Sequence, residues 1–197
     1  MHATTDIRQH ILDTAHPLLL RKGFTAVGLT EVLAAAQVPK GSFYHYFGSK
    51  EAFGEALLAG YFAGYGARMD TLLAAPGDGA QRLLGYFQDW LDSQTDDDAQ
   101  SRCLVVKLGA EVCDLSERMR AALALGTHEI VERLARAVAA GQADGSLARA
   151  EAPQAMAAAL YPQWLGASLL AKITHDRAPL DAAMADTRRR LGLPPAV

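Results

Sequence analysis

Two cysteines offer reactive chemistry in this 197-residue chain, and they stand in different surroundings. Cys103 falls in the first turn of a predicted helix, where unpaired amide groups stabilise an anion, and Arg102 and Lys107 add positive charge. Cys113 comes near the acidic end of the same helix, which disfavours its thiolate. A thiolate attacks oxidants and carbon electrophiles, so the pattern predicts such chemistry at Cys103. The alternative is that Cys103 is an inert, small hydrophobic residue.

A second group of side chains suits nucleic-acid recognition. Between Pro39 and Phe47, apolar residues that pack inward are interspersed with side chains that donate hydrogen bonds, as phosphates and base edges require. We expect Lys50 and Tyr44 to contact phosphate, with Thr30 a weaker candidate. The residues expected to reach base edges or nearby phosphates are Lys40, Ser42, His45 and Tyr46, with Gly41 in the same helical turn. The alternative is a purely structural aromatic helix, but Tyr44, His45 and Tyr46 cannot all point inward from one turn.

Helices must position these residues, because apolar residues recur at helical spacing and no segment alternates with period two for long. Gly23 ends the first helix, and Pro39 prevents the second from continuing beyond the turn. Ser49 is placed to cap a fourth helix, with Glu51 in its first turn. An all-α fold follows. In the first half, the predicted helices cover about 5–21, a short stretch after Gly28, 41–47, a stretch after Ser49, and a stretch that begins at about 79. An acidic loop is predicted at 93–101. In the second half, helices are predicted at about 102–112, 115–123, 125–142, 153–174 and 179–191.

The charge distribution separates a basic head from an acidic body. The net charge is −3, but residues 1–50 carry five Lys and Arg against three Asp and Glu, and residues 51–197 carry fourteen against nineteen. A polyanion is therefore expected to meet the head. Two cysteines are too few for a disulfide scaffold, and the sequence has neither a metal-ligand cluster nor a phosphate-binding loop, so no cofactor is expected.

One charge-free stretch, from Ala152 to Ala171, is long enough to raise the question of a membrane span. Its alanine content and its polar residues favour a buried interface helix instead, with a kink at Pro162. No basic and then apolar leader opens the sequence, so a cytoplasmic protein is expected. Together with the helix at 125–142, this stretch is predicted to hold a homodimer.

The run from Val38 to Phe53 resembles the turn, recognition helix and following Ser-Lys-Glu start of the TetR/AcrR family of transcriptional regulators. The resemblance implies a helix-turn-helix DNA-binding domain at 1–50 and a helical sensor and dimerisation domain at 51–197. It also implies binding of double-stranded, palindromic operator DNA by a homodimer. Two residues depart from the family pattern. Gln37 stands where the turn usually has glycine and must adopt a left-handed conformation, and Gly28 replaces the usual Ser or Thr cap.

The chain also resembles the electrophile- and bleach-sensing branch of that family, nearly from end to end. The similar segments are Pro39 to Phe47, the run from Arg102 to Arg120, Trp164 to Ala167, Ala171 to Ile173, and the final Pro195-Ala196-Val197. The resemblance implies a repressor that is released from DNA by oxidants, quinones or reactive carbonyls, with Cys103 as the reacting residue. It further suggests that Lys172 approaches Cys103 and stabilises its thiolate or reacts with its oxidised form.

Three other interpretations remain open at this stage. A reversible ligand pocket is one; its candidate lining is Tyr61, Phe62, Tyr65, Tyr86, Phe87, Trp90, Tyr161 and Trp164, although such aromatics usually form core. A thiol-dependent enzyme is disfavoured, because no histidine is close to Cys103 in sequence and His128 and His175 lie far along the chain, so that only the fold could assemble a nucleophile–base pair. A purely structural helical dimer is the third.

Overall fold

The computed structural model describes residues 2–95 and 103–194, and every regular element in these ranges is an α-helix. The predicted all-α fold is confirmed. The helices are α1 (His2–Lys22), α2 (Leu29–Ala36), α3 (Lys40–Phe47), α4 (Lys50–Leu73), α5 (Gly79–Thr95), α6 (Leu104–Leu115), α7 (Glu117–Asp144), α8 (Pro153–Thr174) and α9 (Ala178–Arg190).

The predicted boundaries of the first four helices hold because local chemistry sets them. Gly23 follows α1 with φ +90°, a conformation that costs glycine little. Pro39 occupies the N-cap of α3. The Ser49 hydroxyl accepts a hydrogen bond from the backbone N–H of Ala52 at 3.1 Å, so it caps α4 as expected.

Two boundary predictions in the second half are wrong. The separate helices predicted at 115–123 and 125–142 are one helix, α7, since neither proline nor a turn signal interrupts them and Gly126 is accommodated beneath the ring of Phe62. The loop predicted to start at 93 starts later, because α5 continues to Thr95. The acidic residues 96–98 and Arg102 lie outside the described residues.

By its internal contacts the chain divides into two compact units, and α4 and α7 contribute residues to both. The first unit comprises Met1–Ala63 and Asp97–Gly126. In its core, Phe43 and Phe47 of α3 pack against Phe53 of α4, with ring centroids 5.3 and 5.1 Å from that of Phe53. This packing places α3 on the start of α4 and leaves the opposite side of α3 exposed.

The second unit comprises Gly64–Asp96 and Thr127–Val197, and aromatic side chains form its core. Phe87 stacks on Trp164 with ring centroids 5.0 Å apart, and the Trp164 Nε1–H donates to the Thr187 hydroxyl at 2.9 Å. The Trp90 Nε1–H donates to Ser168 at 3.0 Å. Both indole N–H groups are thus satisfied within the core, as buried tryptophan requires.

No described helix is long and apolar enough to cross a membrane, and that includes α8, which contains the charge-free stretch.

Candidate functional site

A tight turn between α2 and α3 sets the position of the candidate DNA-reading helix. Gln37 adopts the predicted left-handed conformation, with φ 56° and ψ 39°, and ends α2. The backbone N–H of Val38 donates to the carbonyl of Leu33 at 3.1 Å, which closes the turn immediately before Pro39. Gly28 is the N-cap of α2 and offers no side-chain cap, so this departure from the family pattern leaves the helix start uncapped.

The side chains of α3 divide into a buried and an exposed set, as expected from the sequence. Phe43 and Phe47 are buried, whereas Tyr44 is 50% exposed and His45 is also exposed. Ser42 and Tyr46 are half-buried, and Lys40 and Gly41 are exposed at the helix start. The interpretation of α3 as a wholly buried aromatic helix is therefore excluded.

Thr30 and Lys40 are brought to one surface by the helix-turn-helix. They line an open groove between α2 and α3 together with Leu33, Ala34, Gln37 and Val38. A Cβ atom added at Gly41 would meet no other atom within 4 Å, so the backbone there is accessible to a neighbouring molecule. The arrangement supplies hydrogen-bond donors, one ammonium group and open backbone on a single face.

Lys50 differs from the other candidates because its ammonium group already has partners in the first unit. Its Nζ donates to the carbonyl oxygen of Phe24 at 3.1 Å and lies 4.9 Å from the centre of the Phe24 ring. Lys50 therefore holds the turn between α1 and α2. An ammonium group has three N–H donors, so the phosphate contact predicted from the sequence is compatible with this role.

The sulfur of Cys103 lies at the N-terminus of α6, where Cys103 is the N-cap residue but makes no side-chain capping hydrogen bond. The Tyr61 hydroxyl donates to its Sγ, and the backbone amides of Val106 and Val105 act on the thiol from the helix start. The Tyr61 oxygen is 3.8 Å from Sγ and accepts a hydrogen bond from the Leu104 N–H at 3.4 Å. The thiol thus has the helix-start setting that the sequence predicts.

The predicted lowering of the Cys103 pKa is wrong in its net direction. Burial raises the pKa of this thiol above its ordinary value, and the hydrogen bonds from Val106, Tyr61 and Val105 offset only part of that rise. Lys107 acts on Glu111, one turn further along α6, where it lowers the pKa of that carboxyl. Cys103 as a residue is half-buried, and desolvation is the largest influence on the pKa of its thiol. The sequence pattern did not reveal this burial.

Glu111 joins α6 to the turn between α1 and α2, a role that sequence reasoning missed. Its carboxylate accepts hydrogen bonds from the backbone N–H groups of Phe24 at 3.0 Å and Thr25 at 2.6 Å. Partial burial tends to raise the pKa of this carboxyl, but the hydrogen bonds from Thr25 and Phe24, with Lys107, hold the pKa below its usual value. An acid on an amphipathic helix gives no sign of so distant a backbone partner, so only the fold identifies it.

Tyr61 and His16 were also missed as neighbours of the thiol. The sequence marks Tyr61 only as one of several candidate pocket aromatics, and no spacing places His16 near Cys103. The imidazole of His16 stacks on the Tyr61 ring, with centroids 6.0 Å apart. Burial lowers the His16 pKa, partly opposed by Asp13, so the ring is neutral at neutral pH.

Cys113 and Lys172 are the remaining thiol-site candidates. Cys113 is exposed on α6. Lys172 is exposed on α8, in the second unit, whereas Cys103 belongs to the first, and the predicted approach of Lys172 to Cys103 stays a prediction. Among the described residues, no group of histidine, cysteine and carboxylate side chains is arranged to hold a metal ion.

A helix-turn-helix head with an exposed donor face, followed by a helical body, defines the class of this protein. Residues 11–57 match the family model described as bacterial regulatory proteins, tetR family, and residues 79–187 match the tetracyclin repressor-like C-terminal domain. The chain belongs to the TetR family and is a DNA-binding transcriptional regulator.

Relatives of the chain extend over almost its whole length. It is 43% identical to the HTH-type transcriptional repressor NemR of Escherichia coli K12 over 98% of both proteins. It is 34% identical to the HTH-type transcriptional repressor DhaR of Mycobacterium sp. strain GP1, over 91% of this chain and 89% of the relative. The crystal structure of the reduced form of E. coli NemR superimposes with a TM-score of 0.91 at 44% identity, covering 98% of this chain and 100% of that chain.

Proposed function

We propose that this protein is a transcriptional repressor that binds near-palindromic operator DNA as a homodimer and is released when oxidants or reactive electrophiles modify Cys103. The exposed donor face of α3 is the observation that carries the DNA-binding part. The similarity to NemR, whose crystal structure is of a reduced form, supports repression and a redox response. The relatives of this chain are named as repressors, so we propose no enzymatic activity for it. A regulator of bacterial genes is expected to act in the cytoplasm.

We propose that residues 1–50 form the domain that recognises DNA, and that residues 51–197 form the domain that receives the signal and dimerises. Lys40, Ser42, His45 and Tyr46 reach base edges or nearby phosphates, while Gly41 allows close approach of the backbone. Tyr44 contacts phosphate, with Thr30 a weaker contact. The exposure of Lys40, Tyr44 and His45 supports this assignment.

A mobility-shift assay on duplex DNA upstream of the gene tests this function directly. We expect a specific complex that dissociates on treatment with a quinone or hypochlorous acid. Selection from random duplexes should return a site with two half-sites about one helical turn apart. A thiol reductant should restore binding after mild oxidation but not after alkylation by the quinone. Failure to select any palindromic sequence would overturn the proposal.

The Lys50 phosphate contact predicts a change in salt dependence. Lys50→Ala should weaken binding to all sequences and reduce the slope of log K against log salt by about one, because one fewer counterion is released. Lys22→Ala is the matched control, since Lys22 lies on α1 and pairs with Glu31 at 2.6 Å. An unchanged slope in Lys50→Ala would show that this lysine only holds the turn at Phe24.

For dimerisation we favour α8 over α7. The helix predicted at 125–142 is part of α7, and its apolar residues Ile130, Leu134 and Val138 are buried within the chain. On α8, by contrast, Leu169 is 46% exposed and Ile173 is 65% exposed. Leucine and isoleucine at such exposure on a helix already packed on its other side suit a second copy of the chain.

A charge on this face should dissociate the dimer. Leu169→Glu is expected to sediment as a monomer at micromolar concentration and to lose at least about tenfold in operator affinity, because both recognition helices must bind together. Leu125→Glu is the matched control, since Leu125 is an exposed leucine on α7. If Leu125→Glu dissociates the dimer and Leu169→Glu does not, the interface lies on α7 instead.

Within the first unit, two contacts connect the thiol site to the head. At one end Tyr61 of α4 meets Cys103 at the start of α6. At the other end, the Phe24 backbone lies between Lys50 of α4 and Glu111 of α6. A group added to the Cys103 sulfur changes the spacing of α4 and α6 where Tyr61 contacts it. Because Lys50 and Glu111 both bind the Phe24 backbone, that change also moves the turn between α1 and α2. A tenfold release needs only about 1.4 kcal/mol of difference between the two states.

Induction by a reversibly bound ligand is the alternative function. The packing of the second unit argues against a pocket lined by its aromatic side chains, because Trp164 contacts both Phe87 and Trp90 and the two indole N–H groups already donate within the core. A chain induced in this way would still respond without Cys103, which separates it from the proposed mechanism.

A further inference from the structure

The hydroxyl of Tyr61 occupies a position that connects the Cys103 sulfur to the start of α6. It accepts a hydrogen bond from the Leu104 N–H at 3.4 Å, so its own proton is directed elsewhere. The Cys103 sulfur, 3.8 Å from the oxygen, lies in hydrogen-bonding range of that proton. The hydroxyl is therefore oriented as a donor to sulfur by the first amide of the helix.

The Tyr61 ring contacts two other aromatic groups of the first unit, one by stacking and one edge-on. His16 of α1 stacks on it with an interplanar angle of 25°, and Phe62 meets it edge-on with ring centroids 5.2 Å apart. The His16 Nε2 atom is buried and makes no hydrogen bond to the residues that the structure describes. A neutral imidazole in this place packs against the phenol without competing for its hydroxyl.

We propose that Tyr61 anchors the Cys103 sulfur and donates a hydrogen bond to it as a thiolate, and so sets the rate at which electrophiles modify it. This inference rests on the proposed role of Cys103. The amides of Val106 and Val105 at the start of α6 also act to lower the pKa of this thiol, although burial outweighs them. A thiolate is a stronger acceptor than a neutral thiol, so the Tyr61 donor stabilises the anion more than the thiol.

The chemical step is an addition to an activated double bond, as in a quinone or an α,β-unsaturated carbonyl. The thiol proton leaves to solvent, and the sulfur forms a bond to the β-carbon. The electron pair of the carbon–carbon double bond moves toward the carbonyl oxygen, and the resulting enolate takes a proton from water. Tyr61 gains and loses no atom; it stabilises the thiolate before the bond forms. The thioether product is bulkier and a weaker acceptor, so the contact with Tyr61 is lost.

The groups that titrate near this sulfur are few in the part of the first unit that the structure describes. Tyr61 faces it from α4, and His16 of α1 lies behind the Tyr61 ring. On α6 itself, Lys107 interacts with Glu111. Burial raises the pKa of Cys103, and the hydrogen bond from Tyr61 offsets part of that rise. Removal of the Tyr61 hydroxyl should therefore raise the thiol pKa further and shift the reaction with electrophiles to higher pH.

The test measures alkylation of the full-length dimer by acrylamide, followed by intact mass, across the pH range of thiol ionisation. A Cys113→Ser background leaves Cys103 as the single thiol. With Tyr61→Phe we expect the apparent pKa of Cys103 to rise by about one unit, so the rate falls about tenfold below that pKa and converges with the parent rate at high pH. Tyr65→Phe is the matched control, because the Tyr65 hydroxyl contacts the Tyr86 hydroxyl at 2.8 Å.

An unchanged pH profile in Tyr61→Phe would overturn the inference. So would a faster rate at every pH, which would mean that Tyr61 merely covers the sulfur. Should Tyr61→Phe fail to fold, a fluorotyrosine placed at position 61 keeps the shape and strengthens the donor, and it must then lower the thiol pKa. A shifted profile in a protein whose alkylation does not release DNA would support the role of Tyr61 and overturn the sensing role of Cys103.

Discussion

Replacement of Cys103 by serine should abolish release of operator DNA by quinones and hypochlorous acid while leaving the untreated affinity nearly unchanged. Serine is close to cysteine in size and is a favourable N-cap residue for α6, but it cannot form a thiolate. In the parent protein, treatment should weaken binding by about tenfold or more, whereas in Cys103→Ser the dissociation constants before and after treatment should agree within about twofold. Fluorescence anisotropy on a selected operator measures both.

The other thiol provides the control. Cys113→Ser should respond like the parent protein, because Cys113 lies exposed near the end of α6 and away from the donors at its start. If Cys113→Ser is the unresponsive variant, the two thiols have been assigned the wrong way round. If both variants still release DNA, induction proceeds through a reversible ligand.

Lys172 belongs in the same series of assays. Lys172 is the predicted partner of Cys103. Lys172→Ala should therefore weaken the response to hypochlorous acid and preserve DNA binding. A response equal to that of the parent protein would remove Lys172 from the mechanism and leave the role of Cys103 intact.

Replacement of Glu111 by alanine should uncouple the thiol from the head. The carboxylate holds two backbone N–H groups of the turn between α1 and α2, and without it these lose their protein acceptor, at a cost of about 1 kcal/mol. We expect the ratio of dissociation constants after and before alkylation to fall from about tenfold to about twofold, while Cys103 is alkylated at the parent rate. Anisotropy and intact mass on the same sample give the two quantities.

Glu117→Ala is the matched control, because it removes a glutamate that pairs with Arg120 at the start of α7. Glu111→Gln should give an intermediate result, since the amide keeps one oxygen acceptor. A parent-like ratio in Glu111→Ala would show that the signal reaches the head by another route. The lowered pKa of Glu111 means that its contribution is complete above the ordinary glutamate pKa and is lost only as the pH falls through the lowered value.

Much of the DNA-binding head could be predicted from its residues because its structure is locally encoded. Gly23, Pro39 and Ser49 each set a boundary through their own backbone or side-chain chemistry, and the structure has helix ends at all three. The alternation of buried Phe43 and Phe47 with exposed Tyr44 follows from helical geometry alone. The same locality explains the error at 115–142, where no local feature required the break that was predicted.

The environment of the thiol was decided by the tertiary structure. By sequence alone Cys103 had a helix N-terminus and neighbouring positive charge, which argue for a low pKa, yet burial reverses the direction. Desolvation depends on the sum of all atoms around a group, and most of those atoms come from segments distant in sequence. Tyr61 and His16 reach the site from α4 and α1, and no spacing within the chain reports that meeting.

The sequence by itself therefore determined most of the helices, the exposed donor face of α3 and the candidate thiol, since each depends on residues a few positions apart. Only the tertiary structure decided which backbone groups Glu111 and Lys50 hold, because those contacts bring together residues 26 to 87 positions apart in the chain. Such pairs are selected by packing of whole helices, in which the fit of many side chains at once fixes the final distance.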